Sequence, residues 1–173
     1  MNPSEILSKI ENAEPYSVFH RFTAPLNIPF LTSTEYRVIF EKSDVQPDQI
    51  ASALSHLSTF PASFRNEVAQ AIYNSCLQSF ADCACDFDTP QAQLDYEKDI
   101  TGHFPAATVP QGPQDVWALV KLIDIGVRGQ SRRAKANGPT AVVHFNAAWD
   151  GEYGISLSFP TGRGDFVVGS LND

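Results

Sequence analysis

The chain has 173 residues, 43% hydrophobic and 18% charged, a balance that furnishes one ordinary core and excludes a disordered polymer. Twelve Lys and Arg stand against twenty Asp and Glu, so the net charge is −8 at pH 7, a sign that repels phosphate backbones and anionic membranes and attracts basic partners. No apolar run is long enough to span a bilayer, and "MNPSEILSKIENAEP" lacks the basic start and apolar centre of a secretory signal.

"EILSKIENA" predicts a short helix, with Ile6 and Ile10 four apart. The stretch "YSVFHRFTAPLNIPFLTSTEYRVIFEK" is rich in aromatic and β-branched residues, and its prolines Pro25 and Pro29 confine the first part to an edge or a bend. An edge strand near Pro25 to Leu31 would be open to cover by a second copy, which leaves a homodimer in play. In "EYRVIFE", Tyr36, Val38 and Phe40 share one face while Arg37 and Glu41 take the other, the period of a half-buried strand.

From Pro47 the period changes to that of a helix, with Pro47 at its first position and Ile50, Leu54 and Leu57 on one side. Pro61 ends that helix and opens another. There Phe64, Val68, Ile72, Cys76 and Phe80 recur every four residues, with Tyr73 and Leu77 beside them, a wide apolar stripe. Together they predict a helical hairpin. "DCACDFDTPQAQLDYEKDITGHFPAATVPQGPQD" is poor in pattern and holds four prolines, so it reads as a long surface connection with one helical turn around Leu94 to Ile100. "DVWALV" reads either as a further helical turn or as the start of a strand.

The C-terminal third has the period of strands. Ile123, Ile125 and Val127 alternate with Asp124, Gly126 and Arg128; Val143, Phe145, Ala147 and Trp149 share a face opposite His144 and Asn146; Ile155, Leu157 and Phe159 alternate with Ser156 and Ser158. "PTGRGD" then turns the chain into "FVVGS". Short loops between successive strands predict antiparallel pairing. The expected fold is one α+β domain over residues 1–173, an antiparallel sheet with the helical hairpin packed on its apolar face.

The most concentrated candidate site is the turn in "HFNAAWDGEYGISLSF". Asp150-Gly151 is a strong hairpin signal, and Gly154 permits a bulge, so only Glu152 and Tyr153 lack an evident structural task. Asp150 and Glu152 as paired acid-base carboxylates would need environments that drive their pKa values apart. Cys76, Cys83 and Cys85 with His103 would supply four soft zinc ligands, but a Cys-x-Cys pair without a matching second pair is weak, and Cys76 lies on the apolar stripe. The odd number of cysteines fits reduced thiols in a cytoplasmic protein. "DFD" lacks the glycine and the distal glutamate of a calcium loop.

The four histidines, His20, His56, His103 and His144, are scattered; His144 lies on a polar strand face where Asp124 of a neighbouring strand could face it, which reads as a solvated or hydrogen-bonded pair before a catalytic dyad. No nucleophile elbow, phosphate loop or zincin helix is present in the sequence. Arg128, Arg132, Arg133 and Lys135 gather in one loop, which reads as a solvated hairpin loop or as a contact to an acidic partner, since interleaved aromatics are missing.

"FNAAWDGEYGISLSF…GDFVVGSLND" resembles the end of a bacterial family of uncharacterised domains marked by a Trp-Asp-x-Glu-His-Gly hairpin. The likeness runs through Trp149, Asp150, Glu152 and Gly154, then Val168 and Gly169; Tyr153 stands where that family has histidine. "PDQIASALSHL" followed by "FRNEVAQAIYNSCLQSF" is similar to the family's pair of helices. The resemblance implies a small, acidic, cytoplasmic protein related to the immunity proteins of bacterial toxin systems. Such a protein works by a complementary charged surface and needs no catalytic constellation. The expectation is therefore a binding protein that neutralises a basic toxin through Asp150, Glu152 and Tyr153, with no catalytic residue, cofactor or metal, and neither nucleic acid nor membrane as partner. The alternative is a small hydrolase using Asp150 and Glu152 with His144 or His103.

Overall fold

The computed structural model describes residues 3–129 and 138–170. Among the described residues, four α-helices, α1 (Pro3–Glu11), α2 (Pro47–Leu57), α3 (Arg65–Asp82) and α4 (Pro90–Thr101), accompany seven strands, β1 (Glu14–Tyr16), β2 (Phe19–Ala24), β3 (Tyr36–Phe40), β4 (Val120–Arg128), β5 (Thr140–Ala147), β6 (Asp150–Pro160) and β7 (Val167–Gly169). Two short 3-10 turns cover Ala62–Phe64 and Pro113–Ala118. The strands form one mostly antiparallel sheet in chain order, β1 to β7, so the fold is α+β as expected.

One pairing departs from the antiparallel expectation. β3 and β4 run parallel, with Val38 opposite Ile125 and Phe40 opposite Val127. The chain between them carries α2, α3 and α4, and a long helical crossover delivers the next strand in the same direction, whereas a tight turn would reverse it. The "DVWALV" segment also resolves: it is a 3-10 turn that ends at Ala118, and β4 begins at Val120.

The described chain divides into two compact units interleaved in sequence. The first comprises residues 3–64, 123–129, 138–144 and 157–167. Here the expected alternation of β3 holds, with Tyr36, Val38 and Phe40 buried and Arg37 exposed. α2 starts with Pro47 at its first position, and the Gln46 N–H donates to Gln49 Oε1 at 2.9 Å, satisfying one of the helix's open donors. Ile6 and Ile10 of α1 and Ile50, Leu54 and Leu57 of α2 are buried, and α1 packs against α2 and β2.

The segment from Pro25 to Leu31 is not a strand. Leu26, Ile28 and Phe30 are buried there as an irregular plug, and the terminal strand of the sheet is β1. Pro25 and Pro29 deny the ladder its donors, and the apolar side chains between them fill the core instead. Phe30 meets Phe60, Phe64 and Phe159 at ring-centroid distances of 6.3, 5.7 and 5.6 Å, and Phe60 and Phe64 stand 4.6 Å apart. Such clusters of large rings bury much apolar area per residue and add edge-to-face attraction.

The second unit comprises residues 65–122, 145–156 and 168–170. α3 buries Val68, Ile72, Cys76 and Phe80, as its four-residue spacing dictates, but Leu77 is exposed, so the stripe is narrower than the sequence suggested. α3 packs on the 3-10 turn at Pro113–Ala118, where the Arg65 guanidinium sits 3.7 Å above the Trp117 ring and Trp117 meets Phe145 edge-on. Between these elements the expected surface connection proves to hold a full helix. α4 has Thr89 as N-cap, whose Oγ1 accepts from the Ala92 N–H, Pro90 at its first turn and Gly102 at φ 65° as its left-handed stop.

The basic loop expectation concerns Arg132, Arg133 and Lys135, which lie outside the described residues. Arg128, at the end of β4, is half-buried, and the next residue is pinned by Asp44, whose Oδ2 accepts the Gly129 N–H at 2.8 Å.

Candidate acidic interaction face

The turn between β5 and β6 falls on Ala148 and Trp149, earlier than the Asp-Gly signal suggested, and Asp150 to Gly154 open β6 instead of forming the turn. Asp150 Oδ1 accepts the Tyr153 N–H at 2.9 Å, and Gly154 has φ 54°, a left-handed conformation that glycine adopts without a Cβ clash. Trp149 is buried and its carbonyl accepts from Gln93 Nε2 at 2.9 Å. Glu152 and Tyr153 remain at the surface, where a side-chain hydrogen bond from the Tyr153 hydroxyl to Glu152, reinforced by the charges of Glu152 and Asp150, holds the phenol above its ordinary pKa.

α4 is locked to this tip. Glu97 Oε2 accepts the Gly151 N–H at 3.0 Å, and a Cβ on Gly151 would come within 2.3 Å of Thr101 Cγ2. Gly151, the second residue of β6, thus lies where the α4 side chains Thr101 and Glu97 leave little room for a Cβ. Tyr96 and Ile100, one turn apart beside that contact row, face solvent at 53% and 62% exposure, and Phe87 packs its ring 5.3 Å from that of Tyr96.

The charge of the chain is concentrated on the same elements. From Asp82 to Ile100 there are six carboxylates (Asp82, Asp86, Asp88, Asp95, Glu97, Asp99) and a single cation, Lys98, a balance of −5; Asp150 and Glu152 bring it to −7 of the overall −8. These groups share a field. The Cys83 thiol is pushed above its ordinary pKa by partial burial and by the charges of Asp86, Asp82, Cys85 and Asp150. Asp150, singled out from the sequence, thus stands in the same field as Asp82 and Asp86, and Glu97 reaches the neighbouring Gly151 N–H.

Sequence reasoning missed α4 because it lacks an amphipathic stripe. Only Gln93 and Leu94 are buried on it, while its apolar Tyr96 and Ile100 point outward. The signal that would have found it was the Thr89-Pro90 start and the Gly102 stop, together with the run of acids between them.

The residues weighed for other chemistry are placed elsewhere. Cys76 is buried in the α3 core, where the loss of solvent pushes its thiol up to about 12, while Cys85 is exposed. Among the described residues no group of three His, Cys, Asp or Glu side chains is gathered to hold a metal ion. The His103 backbone N–H donates to Thr101 Oγ1, and its ring lies edge-on to Phe104. The carboxylate that meets His144 is Asp124, with Asp124 Oδ1 2.6 Å from His144 Nδ1 and Asp124 Oδ2 3.3 Å from Arg37.

Over residues 7–173 the chain matches the family described as a domain of unknown function (DUF6985), and it belongs to that family. Comparison with curated proteins and with solved structures gave no match. No helix among the described residues is long and apolar enough to cross a membrane.

Proposed function

We propose that the protein is a binding protein of the immunity type, which neutralises a basic bacterial toxin in the cytoplasm by covering it. The observation that carries this reading is the concentration of nearly all the net negative charge on the end of α3, the loop after it, α4 and the start of β6, with three large apolar side chains, Tyr96, Ile100 and Tyr153, exposed on the same segments. Opposite charge accelerates encounter and selects partners, and exposed aromatics supply the area that holds a complex once formed. Asp150 and Glu152 take part as members of this face, and Tyr153 as one of its aromatic anchors.

The hydrolase reading has less to support it. Asp150 is engaged with the Tyr153 N–H, Glu152 with the Tyr153 hydroxyl, and the imidazole of His144 with Asp124. The test is co-expression with the protein encoded by the adjacent reading frame. The expected result is that the neighbour arrests growth alone, that this chain restores growth, and that the two purify as a complex. A neighbour that is harmless, or a toxic one that this chain neither binds nor counters, overturns the reading.

A further inference from the structure

A second exposed apolar patch sharpens the question of which surface does the binding. Tyr16, Val18 and Phe19, at the tip of the β1–β2 hairpin, are exposed at 59%, 63% and 44%. It carries little of the charge bias: Arg21 lies over the Tyr16 ring at 4.9 Å, and Glu14 pairs across the strands with Arg21. Pro15 occupies the middle of β1, and a proline on a terminal strand withholds the N–H that an added strand would need. The edge is thus blunted against pairing with another chain.

The other patch combines apolar surface with field. Tyr96 and Ile100 stand one turn apart on α4, Phe87 packs against the Tyr96 ring, Asp86 and Asp88 flank Phe87 in the chain and Asp99 precedes Ile100, all three carboxylates being exposed. α4 itself is held firmly, capped at both ends and tied through Glu97 to the Gly151 backbone. A stiff helix face with apolar centre and anionic rim has the anatomy of an interface core and its rim, and it is prepared without ordering cost on this side.

Resting on the binding reading above, we infer that this face of α4, continued by Tyr153, is the docking surface, and that its occupant is a folded protein surface with an apolar centre bordered by Lys and Arg. Arginine is the side chain best fitted to it, because its guanidinium stacks on a tyrosine ring while pairing with a neighbouring carboxylate. The apolar centre of the partner covers Ile100, and the cations meet Asp86, Asp88 and Asp99.

The experiment measures binding of the adjacent frame's product to wild-type protein and to three variants, each first shown to melt as the wild type does. Ile100→Asp places a charge in the centre and is expected to raise Kd by about tenfold or more. Asp86→Asn/Asp88→Asn/Asp99→Asn is expected to slow association and flatten its salt dependence, with dissociation less affected. Val18→Asp, on the β1–β2 tip, is expected to bind as the wild type does. If the complex forms but tolerates Ile100→Asp and the triple variant, or is lost on Val18→Asp, the docking surface is wrong while the binding reading stands. If the wild type forms no complex at all, both fall.

Discussion

His144 and Asp124 face each other on adjacent strands of the sheet, Nδ1 to Oδ1 at 2.6 Å, and Arg37 reaches the other oxygen of the same carboxylate at 3.3 Å. The two contacts differ in worth because their surroundings differ. The Asp124 side chain is 8% exposed and that of Arg37 is 46% exposed, so the imidazole contact is the sheltered one. Asp124→Ala leaves the imidazole Nδ1 without its partner, beside an Nε2 that is already buried and unpaired, and is expected to cost about 2–3 kcal/mol. Arg37→Ala removes only a solvent-screened pair and is expected to cost less than about 1 kcal/mol. Urea titration of both variants checks the ranking; equal losses would show that the guanidinium matters as much as the imidazole.

Gly151 is the point at which α4 and the β5–β6 tip come closest. A methyl group there would sit 2.3 Å from Thr101 Cγ2 and 2.8 Å from Glu97 Oε2, so these two side-chain ends must shift to admit it, at the expense of the Glu97 contact to the Gly151 N–H. Overpacking of this kind typically costs about 1–3 kcal/mol. Gly151→Ala is expected to lie in that range, and Thr101→Ser, which deletes the offending methyl, is expected to recover a large part of the loss in the double variant. Thermal melts of the two single variants and the double variant complete the cycle. Additive losses would show that the clash is relieved somewhere other than at Thr101.

The success of the sequence reading follows the periods. β3, α2 and α3 are regular along one face, and Tyr36, Ile50 and Ile72 are buried where their spacing puts them. Failure came where tertiary packing replaced period. Leu26, Ile28 and Phe30 alternate like a strand, yet they plug the core from a loop, because prolines on either side of Ile28 forbid the ladder. α4 was hidden for the opposite reason: an outward-facing helix leaves no stripe to read, and only its caps mark it. The Asp124–His144 contact was legible, since both residues fall on the polar phase of neighbouring strands. At the candidate site the sequence disclosed a β5–β6 hairpin but placed its turn at Asp150-Gly151, whereas it falls on Ala148–Trp149, and it gave no sign of the helix behind it, because the joining contact, Glu97 to the Gly151 N–H, spans residues far apart in the chain.

Burial of Cys76 gives stability a definite dependence at alkaline pH. Its thiol has an ordinary value of 9.0 and is pushed up to about 12 in the fold. Below 9 the group is protonated in both states and makes no difference. Above 9 the unfolded chain loses the proton while the folded one keeps it, so stability falls as pH rises towards 12, by up to about 1.4 kcal/mol per pH unit. Burial also raises Tyr36 above 10.0, which adds to the fall at the upper end. Cys76→Ala is expected to flatten the decline just above pH 9, whatever it costs at neutral pH. Urea midpoints measured across this range for the wild type and the variant check it; identical slopes would remove Cys76 as the cause.

Gln93 is a polar side chain in the core of the second unit, 3% exposed, and its Nε2 donates to the Trp149 carbonyl at 2.9 Å and to Ser79 Oγ at 3.2 Å. It links α3, α4 and the strand end before the β5–β6 tip, so it holds the proposed docking helix in register with Tyr153. Gln93→Leu keeps most of the volume but strips a buried carbonyl of its donor, at an expected cost of about 1–3 kcal/mol. Gln93→Ala adds a cavity and is expected to cost more. Hydrogen exchange gives the finer readout. The amides of α4 and of Gly151 should lose protection in Gln93→Leu before those of β3, whose packing lies in the other unit. Uniform loss throughout the chain would mean that Gln93 stabilises the whole fold and not the seating of α4 in particular.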